Sequence, residues 1–318
     1  MAQTRALRGG IVGAGRSRNG LGPFLARHLE SAGVEIVGVV GRNLDRGAAA
    51  AAALAPDLGH PVAAYRSVED ALCEGLDILV IAAPVPAHLP ALRAACGSGV
   101  AVLCEKPLVL ADEMGALESV LDELLSAGQL LMENCQWPEA LPAWRELFPG
   151  GDGARVGEVA MGLSPSAVDG MLEDSLSHLI SLAQALVPLG PETLISGLRV
   201  EGMAGDGGGR EYEFSLQAGA GVVRCRLELE PQEQQPRPAW LAIDGQRMDR
   251  EIDLASYTVS FRAANRSISI GDPMARLVYR FVRAVEGSCD HERIRAESDS
   301  VRQRARIYQR CILGFQDC

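Results

Sequence analysis

In this 318-residue chain the side chains best suited to chemistry are Lys106, Asp174 and His178. Of its 30 lysine and arginine residues, one is a lysine. A sequence that uses arginine wherever a surface cation serves has kept a single ammonium group. Lysine's compact charge changes its pKa on burial, which a guanidinium does not do. Lys106 lies in the run Cys104-Glu105-Lys106-Pro107-Leu108, directly after the apolar stretch Val100 to Cys104. Asp174 and His178 are four residues apart. On a helix that spacing puts both on one face, opposite Leu172, Leu176, Leu179, Ile180 and Ala183. Histidine suits proton transfer near neutral pH. Asp174 would orient its ring, and Lys106 would stabilise developing charge on a substrate oxygen.

A second group of residues points to a dinucleotide. Gly13-Ala14-Gly15 follows a strand-like run and precedes a helical one. Glycines there permit a tight turn and close approach to a pyrophosphate, whose charge suits a helix N-terminus. The fit to GxGxxG is imperfect: Arg18 holds the third position, and Gly20 and Gly22 follow the insertion Arg16 to Asn19. Gly13, Gly15 and Arg16 are the expected cofactor contacts of this loop. At the end of the second strand an NAD-binding domain places an acid for the ribose hydroxyl. This chain has Gly41-Arg42-Asn43 instead, so a 2′-phosphate meets no carboxylate there and Arg42 adds a charge-assisted contact. NADP(H) is therefore the preferred cofactor, with Asn43 beside it. NAD(H) remains possible if Asp45 serves the ribose. Pro84, His88, Glu105 and Lys106 are further cofactor-side candidates. Gln136 and Trp137 are candidates for the substrate pocket, and packing between domains is an equal reading of Trp137. Pro107 would fix the backbone after Lys106, with a cis bond as one option.

The elements that position these residues fall into two patterns. Up to Asn134, short apolar runs alternate with helical segments, as in a parallel sheet covered on both faces. The strands are expected at Gly10–Val12, Val34–Val40, Asp77–Ala83, Val100–Cys104 and Gln129–Glu133. After Asn134 the texture changes. A helix is expected at Leu172–Val187, then strands at Ile195–Val200, Tyr212–Leu216, Val222–Leu229, Trp240–Ile243 and Tyr257–Phe261, and closing helices at Met274–Val285 and Val301–Cys311. The fold class is α/β: a Rossmann dinucleotide-binding domain at 1–134, then an α+β domain at 135–318 with an open, mainly antiparallel sheet.

The run Ala83-Pro84-Val85-Pro86-Ala87-His88, then Ala94 to Val102 and Cys104 to Leu108, resembles the signature of the glucose–fructose oxidoreductase/inositol dehydrogenase/MocA family. The Glu-Lys-Pro block is the specific part. The resemblance implies hydride transfer between nicotinamide and a carbinol carbon of a sugar, cyclitol or related metabolite. It implies Asp174 and His178 beside the nicotinamide, with Lys106, as the catalytic residues. It also implies a homodimer or homotetramer formed through the C-terminal sheet. This chain departs from the family pattern at Leu176, usually glycine, and at Ser181, often an acid.

Composition narrows the remaining classes. The formal net charge is -11 and the arginines are dispersed, which argues against a nucleic-acid partner. No apolar run approaches a membrane span, and the start carries no apolar leader. The eight cysteines form no CxxC pair or zinc-like spacing, which fits reduced thiols in a cytoplasm. No metal is expected. Two rival activities remain: a redox-neutral lyase or hydrolase holding NAD(H) tightly, and a non-catalytic cofactor-binding protein.

Overall fold

The computed structural model describes residues 5–15, 20–150, 155–203, 208–219, 221–254, 258–287 and 290–318. Arg16, a candidate cofactor contact, lies outside them. The chain divides into two units, Met1–Asn134 with Met274–Arg302, and Cys135–Pro273 with Gln303–Cys318. The first boundary is the expected one. The expected assignment of all of 135–318 to a second domain differs from this division, because Met274–Arg302 packs with the first unit.

The first unit holds a parallel sheet of β1 (Leu7–Val12), β2 (Val34–Val40), β3 (Ala63–Tyr65), β4 (Ile78–Ile81), β5 (Ala101–Cys104) and β6 (Leu131–Glu133), in the order β3-β2-β1-β4-β5-β6. Between them run α1 (Gly22–Ser31), α2 (Leu44–Leu58), α3 (Val68–Leu72), α4 (His88–Ala95) and α5 (Met114–Ser126). Every residue of β4 and β5 is buried, which is why these strands read as unbroken apolar runs. The helix α8 (Pro273–Glu286) joins this core through Met274, Leu277, Val278, Phe281 and Val282. Their spacing marks one helical face, and burying each such side chain contributes roughly 1.5–3 kcal/mol. From α9 (His291–Gln316), Arg302 reaches α5, with nitrogens 2.7 Å from Glu118 and 2.6 Å from Asp122.

The second unit begins with α6 (Leu141–Leu147), β7 (Glu158–Leu163) and α7 (Met171–Leu186). Next come β8 (Leu194–Gly202), β9 (Arg210–Ala218), β10 (Gly221–Leu229), β11 (Ala239–Ile243), β12 (Gln246–Asp253), β13 (Thr258–Ala263) and β14 (Arg266–Ser269). The sheet order is β14-β13-β12-β11-β7-β10-β9-β8, antiparallel except for the β7–β10 pair. Period-two alternation separates its faces. Tyr212, Phe214, Leu216, Val223, Cys225, Leu227 and Leu229 are buried, and Phe315 of α9 meets Tyr212 and Phe214 edge-on. The other face is charged. There Arg226 pairs with Glu211 and Glu228, and Arg247 lies 4.3 Å from the ring of Trp240. The β8 edge is irregular, with a register shift between Ser196 and Arg199 and a left-handed Gly197. Seven described cysteines are free. Burial pushes the Cys104 and Cys225 thiols up, so both behave as small hydrophobes.

Candidate functional site

The strand order reverses between β1 and β4: the chain steps from β1 outward to β3, then returns to β4 on the other side. In open α/β sheets ligands bind at that switch point, beyond the carboxyl ends of the strands. Hydrogen bonds stitch those ends together. Gly13 N–H donates to the Val40 carbonyl, Ala82 to Val12, Glu105 to Ile81, and Asn134 to Cys104. Gly13 has φ +87°, and a Cβ there would sit 2.5 Å from the backbone nitrogen and Cα of Ala83. The loops after β1 and β4 therefore touch backbone to backbone. At Gly15 a Cβ would meet none of the described residues within 4 Å. A closed glycine turn at the switch point fits a dinucleotide pyrophosphate.

At the end of β2, Arg42 is exposed. Gly41 packs so closely on α2 that a Cβ would lie 2.3 Å from the nitrogen of Gly47. Asn43 has a role beyond the one expected. Its Oδ1 accepts from the Arg46 N–H at 2.9 Å, so it caps α2. Asn43→Ala is expected to cost about 1 kcal/mol of stability, measured by urea unfolding. An unchanged midpoint would show that the cap contributes nothing.

Lys106 and Glu105 follow β5 half-buried, and the Lys106–Pro107 peptide is cis. Asn134, 1% exposed, donates from Nδ2 to Glu105 Oε1. Nothing in the sequence singled it out, since an asparagine after a strand reads as a loop residue. Pro84 starts a short 3-10 turn over Val85–Ala87. His88 opens α4, and a packing role at the helix start is as ready a reading of it as a place near the cofactor. It is 1% exposed, with Nε2 2.7 Å from the Ala83 carbonyl oxygen and Nδ1 3.0 Å from that of Pro107. Burial pushes its imidazole below the ordinary histidine value, against the opposing pull of the Ala83, Pro107 and Leu108 backbone and of Glu133.

Asp174 and His178 stand together on α7, Asp174 exposed and His178 half-buried, while Leu172, Leu176, Leu179, Ile180 and Ala183 are buried. The i,i+4 face is as expected. Ser181, at the position where an acid is common, donates its hydroxyl to the His178 carbonyl at 2.8 Å. Trp137 is 3% exposed, and the Arg250 guanidinium lies 5.4 Å from its ring. That contact is packing within the second unit. Gln136 beside it is half-buried. Lys106 belongs to the first unit and the α7 pair to the second. Among the described residues no group of His, Cys, Asp and Glu is arranged to hold a metal ion, and no helix is long and apolar enough to cross a membrane.

Residues 7–135 match the family described as oxidoreductase family, NAD-binding Rossmann fold (GFO_IDH_MocA). That match is confined to the N-terminal part of the chain. The chain is 34% identical over 143 residues to trans-1,2-dihydrobenzene-1,2-diol dehydrogenase of Mus musculus, across 45% of this chain and 40% of that one. It is 44% identical over 90 residues to D-xylose 1-dehydrogenase (NADP(+)) 2 of Haloferax volcanii, across 28% and 26%. These matches span less than half the length of either relative. The structure of UDP-N-acetylglucosamine 3-dehydrogenase from Acidithiobacillus ferrooxidans is similar in fold over 98% of this chain and 99% of that one, with TM-score 0.65 and 20% identity.

Proposed function

We propose that this protein is an NADP(H)-dependent oxidoreductase acting on a hydroxyl/carbonyl carbon of a small polar molecule such as a sugar, cyclitol or related metabolite. The observation that carries the cofactor reading is the end of β2. There an exposed Arg42 stands where NAD-binding domains carry an acid. Gly13 and Gly15 give the pyrophosphate its approach. The name of the Haloferax relative, which specifies NADP(+), agrees with this reading.

The nicotinamide, when bound, supplies or accepts the hydride. The chain's own groups handle the proton and the charge. In reduction His178 gives a proton to the carbonyl oxygen, and in oxidation it takes the hydroxyl proton. Asp174, one turn before it on α7, holds the ring in the orientation that transfer needs. Lys106, in the first unit, donates to a substrate oxygen on which negative charge develops. We place the protein in the cytoplasm, where the seven described free cysteines stay reduced. Assembly into a homodimer or homotetramer through the second sheet belongs to the same reading, as the family resemblance implies.

Calorimetric titration with NADPH and NADH at matched ionic strength tests the cofactor assignment. NADPH is expected to bind at least ~10-fold more tightly. Arg42→Ala should weaken NADPH roughly 10- to 100-fold, the worth of a charged hydrogen bond of about 1.5–3 kcal/mol, and leave NADH unchanged. Equal affinities in the wild type would overturn the NADP(H) assignment and direct attention to Asp45.

A further inference from the structure

We infer that His88 is a positioning residue that joins the loop after β4 to the Glu-Lys-Pro loop and thereby fixes Lys106. The two loops come from neighbouring strands and are 23 residues apart between Ala83 and Lys106. Each must hold its place for one ligand to meet both. The His88 ring lies between them, 1% exposed, with one nitrogen 2.7 Å from the Ala83 carbonyl oxygen and the other 3.0 Å from that of Pro107. The first carbonyl belongs to the segment that abuts Gly13. The second follows Lys106 directly across the cis peptide. The neutral ring carries a single N–H, and donation from Nδ1 to the Pro107 carbonyl is the bond that would tie it to the Lys106 loop. The ring stands on the first residue of α4, so the helix fixes the site of attachment. Glu133, itself 6% exposed at the end of β6, lies close enough to act electrostatically on the same ring.

The inference rests on the reading of Lys106 as the group that touches substrate, but its test does not need a substrate. Because Lys106 is the chain's single lysine, protein labelled with [13C]lysine gives one side-chain Cε resonance. An ordered Lys106 shows it at a shift distinct from free lysine. His88→Leu removes both contacts. His88→Asn places an amide nitrogen where Nδ1 reached Pro107, and His88→Gln places one where Nε2 reached Ala83. In His88→Leu the Lys106 resonance is expected to broaden or move to the free-lysine shift. His88→Asn should restore it and His88→Gln should not. A purely structural role for the ring predicts lower melting temperatures in all three variants with no such split.

Wild-type resonance in His88→Leu overturns the inference, and so does equal loss in His88→Leu and His88→Asn. If His88→Leu does not fold, the comparison between His88→Asn and His88→Gln decides, and identical spectra overturn it. Titrating the wild-type protein with NADPH separates the two readings. Failure of NADPH to bind counts against the proposed function, while the pattern among the His88 variants still judges the positioning role.

Discussion

Replacing Lys106 by methionine is expected to lower turnover roughly 100- to 1,000-fold, the usual effect of removing one preorganised donor to a developing oxyanion. The melting temperature should barely change. Lys106 is half-buried, and methionine keeps its length and most of its apolar surface, so the substitution removes a charge and little packing. The strand that leads into it, β5, is buried along its whole length and paired on both sides. The backbone is therefore held by neighbours the mutation does not touch. Arginine is not a conservative replacement here, because its planar fork cannot occupy the place of a compact ammonium. Turnover measured at saturating cofactor, alongside a thermal melt, reads both quantities. Unimpaired turnover would remove Lys106 from the mechanism. A large drop in melting temperature would reassign it to structure.

Gly13→Ala should abolish measurable NADPH binding and destabilise the first unit by roughly 2–6 kcal/mol. Two costs add. A non-glycine residue at φ +87° carries about 1–3 kcal/mol of backbone strain. The new methyl would also lie 2.5 Å from backbone atoms of Ala83, and overpacking of that kind costs about 1–3 kcal/mol. Backbone cannot rotate aside as a side-chain tip can, so the loops after β1 and β4 must part. Those loops form the floor on which a pyrophosphate would rest. Urea unfolding and calorimetric titration together check the prediction. Near-wild-type affinity would mean that the nucleotide does not approach this turn.

The Rossmann half was legible because its strands are buried on both faces and flanked by strong punctuation. Val34–Val40 was placed to the residue, and α7 within one residue at each end. What escaped the sequence has physical causes. In β12, Gln246–Asp253, only Met248 is buried, so a charged strand on an open face resembles a loop. The four-residue β14 carries a single half-buried apolar residue, Ile268. In α6 a proline occupies the first turn of a seven-residue helix and imitates a chain break. The first ten residues of α9 are mostly polar, which hid its true length. The apolar face of α8 was plain, but which core it joins depends on contacts with residues far away in the chain. The candidate site divides the same way. Residue type and spacing exposed Lys106, Asp174 and His178. The capping bond of Asn43, the two carbonyls at His88 and the bond from Asn134 to Glu105 depend on side-chain direction, which no linear pattern records.

The eight-stranded sheet ends at β8 on one side and β14 on the other. An unpaired edge is a template on which foreign strands add and aggregates grow. Here β14 offers four residues. The register shift between Ser196 and Arg199 interrupts the longer β8, and just after it Arg199 and Glu201 pair with opposite charges 3.2 Å apart. A bulged, charged edge gives an incoming strand no continuous ladder to copy. The rim of the sheet therefore offers no continuous template for amyloid-like growth at high protein concentration.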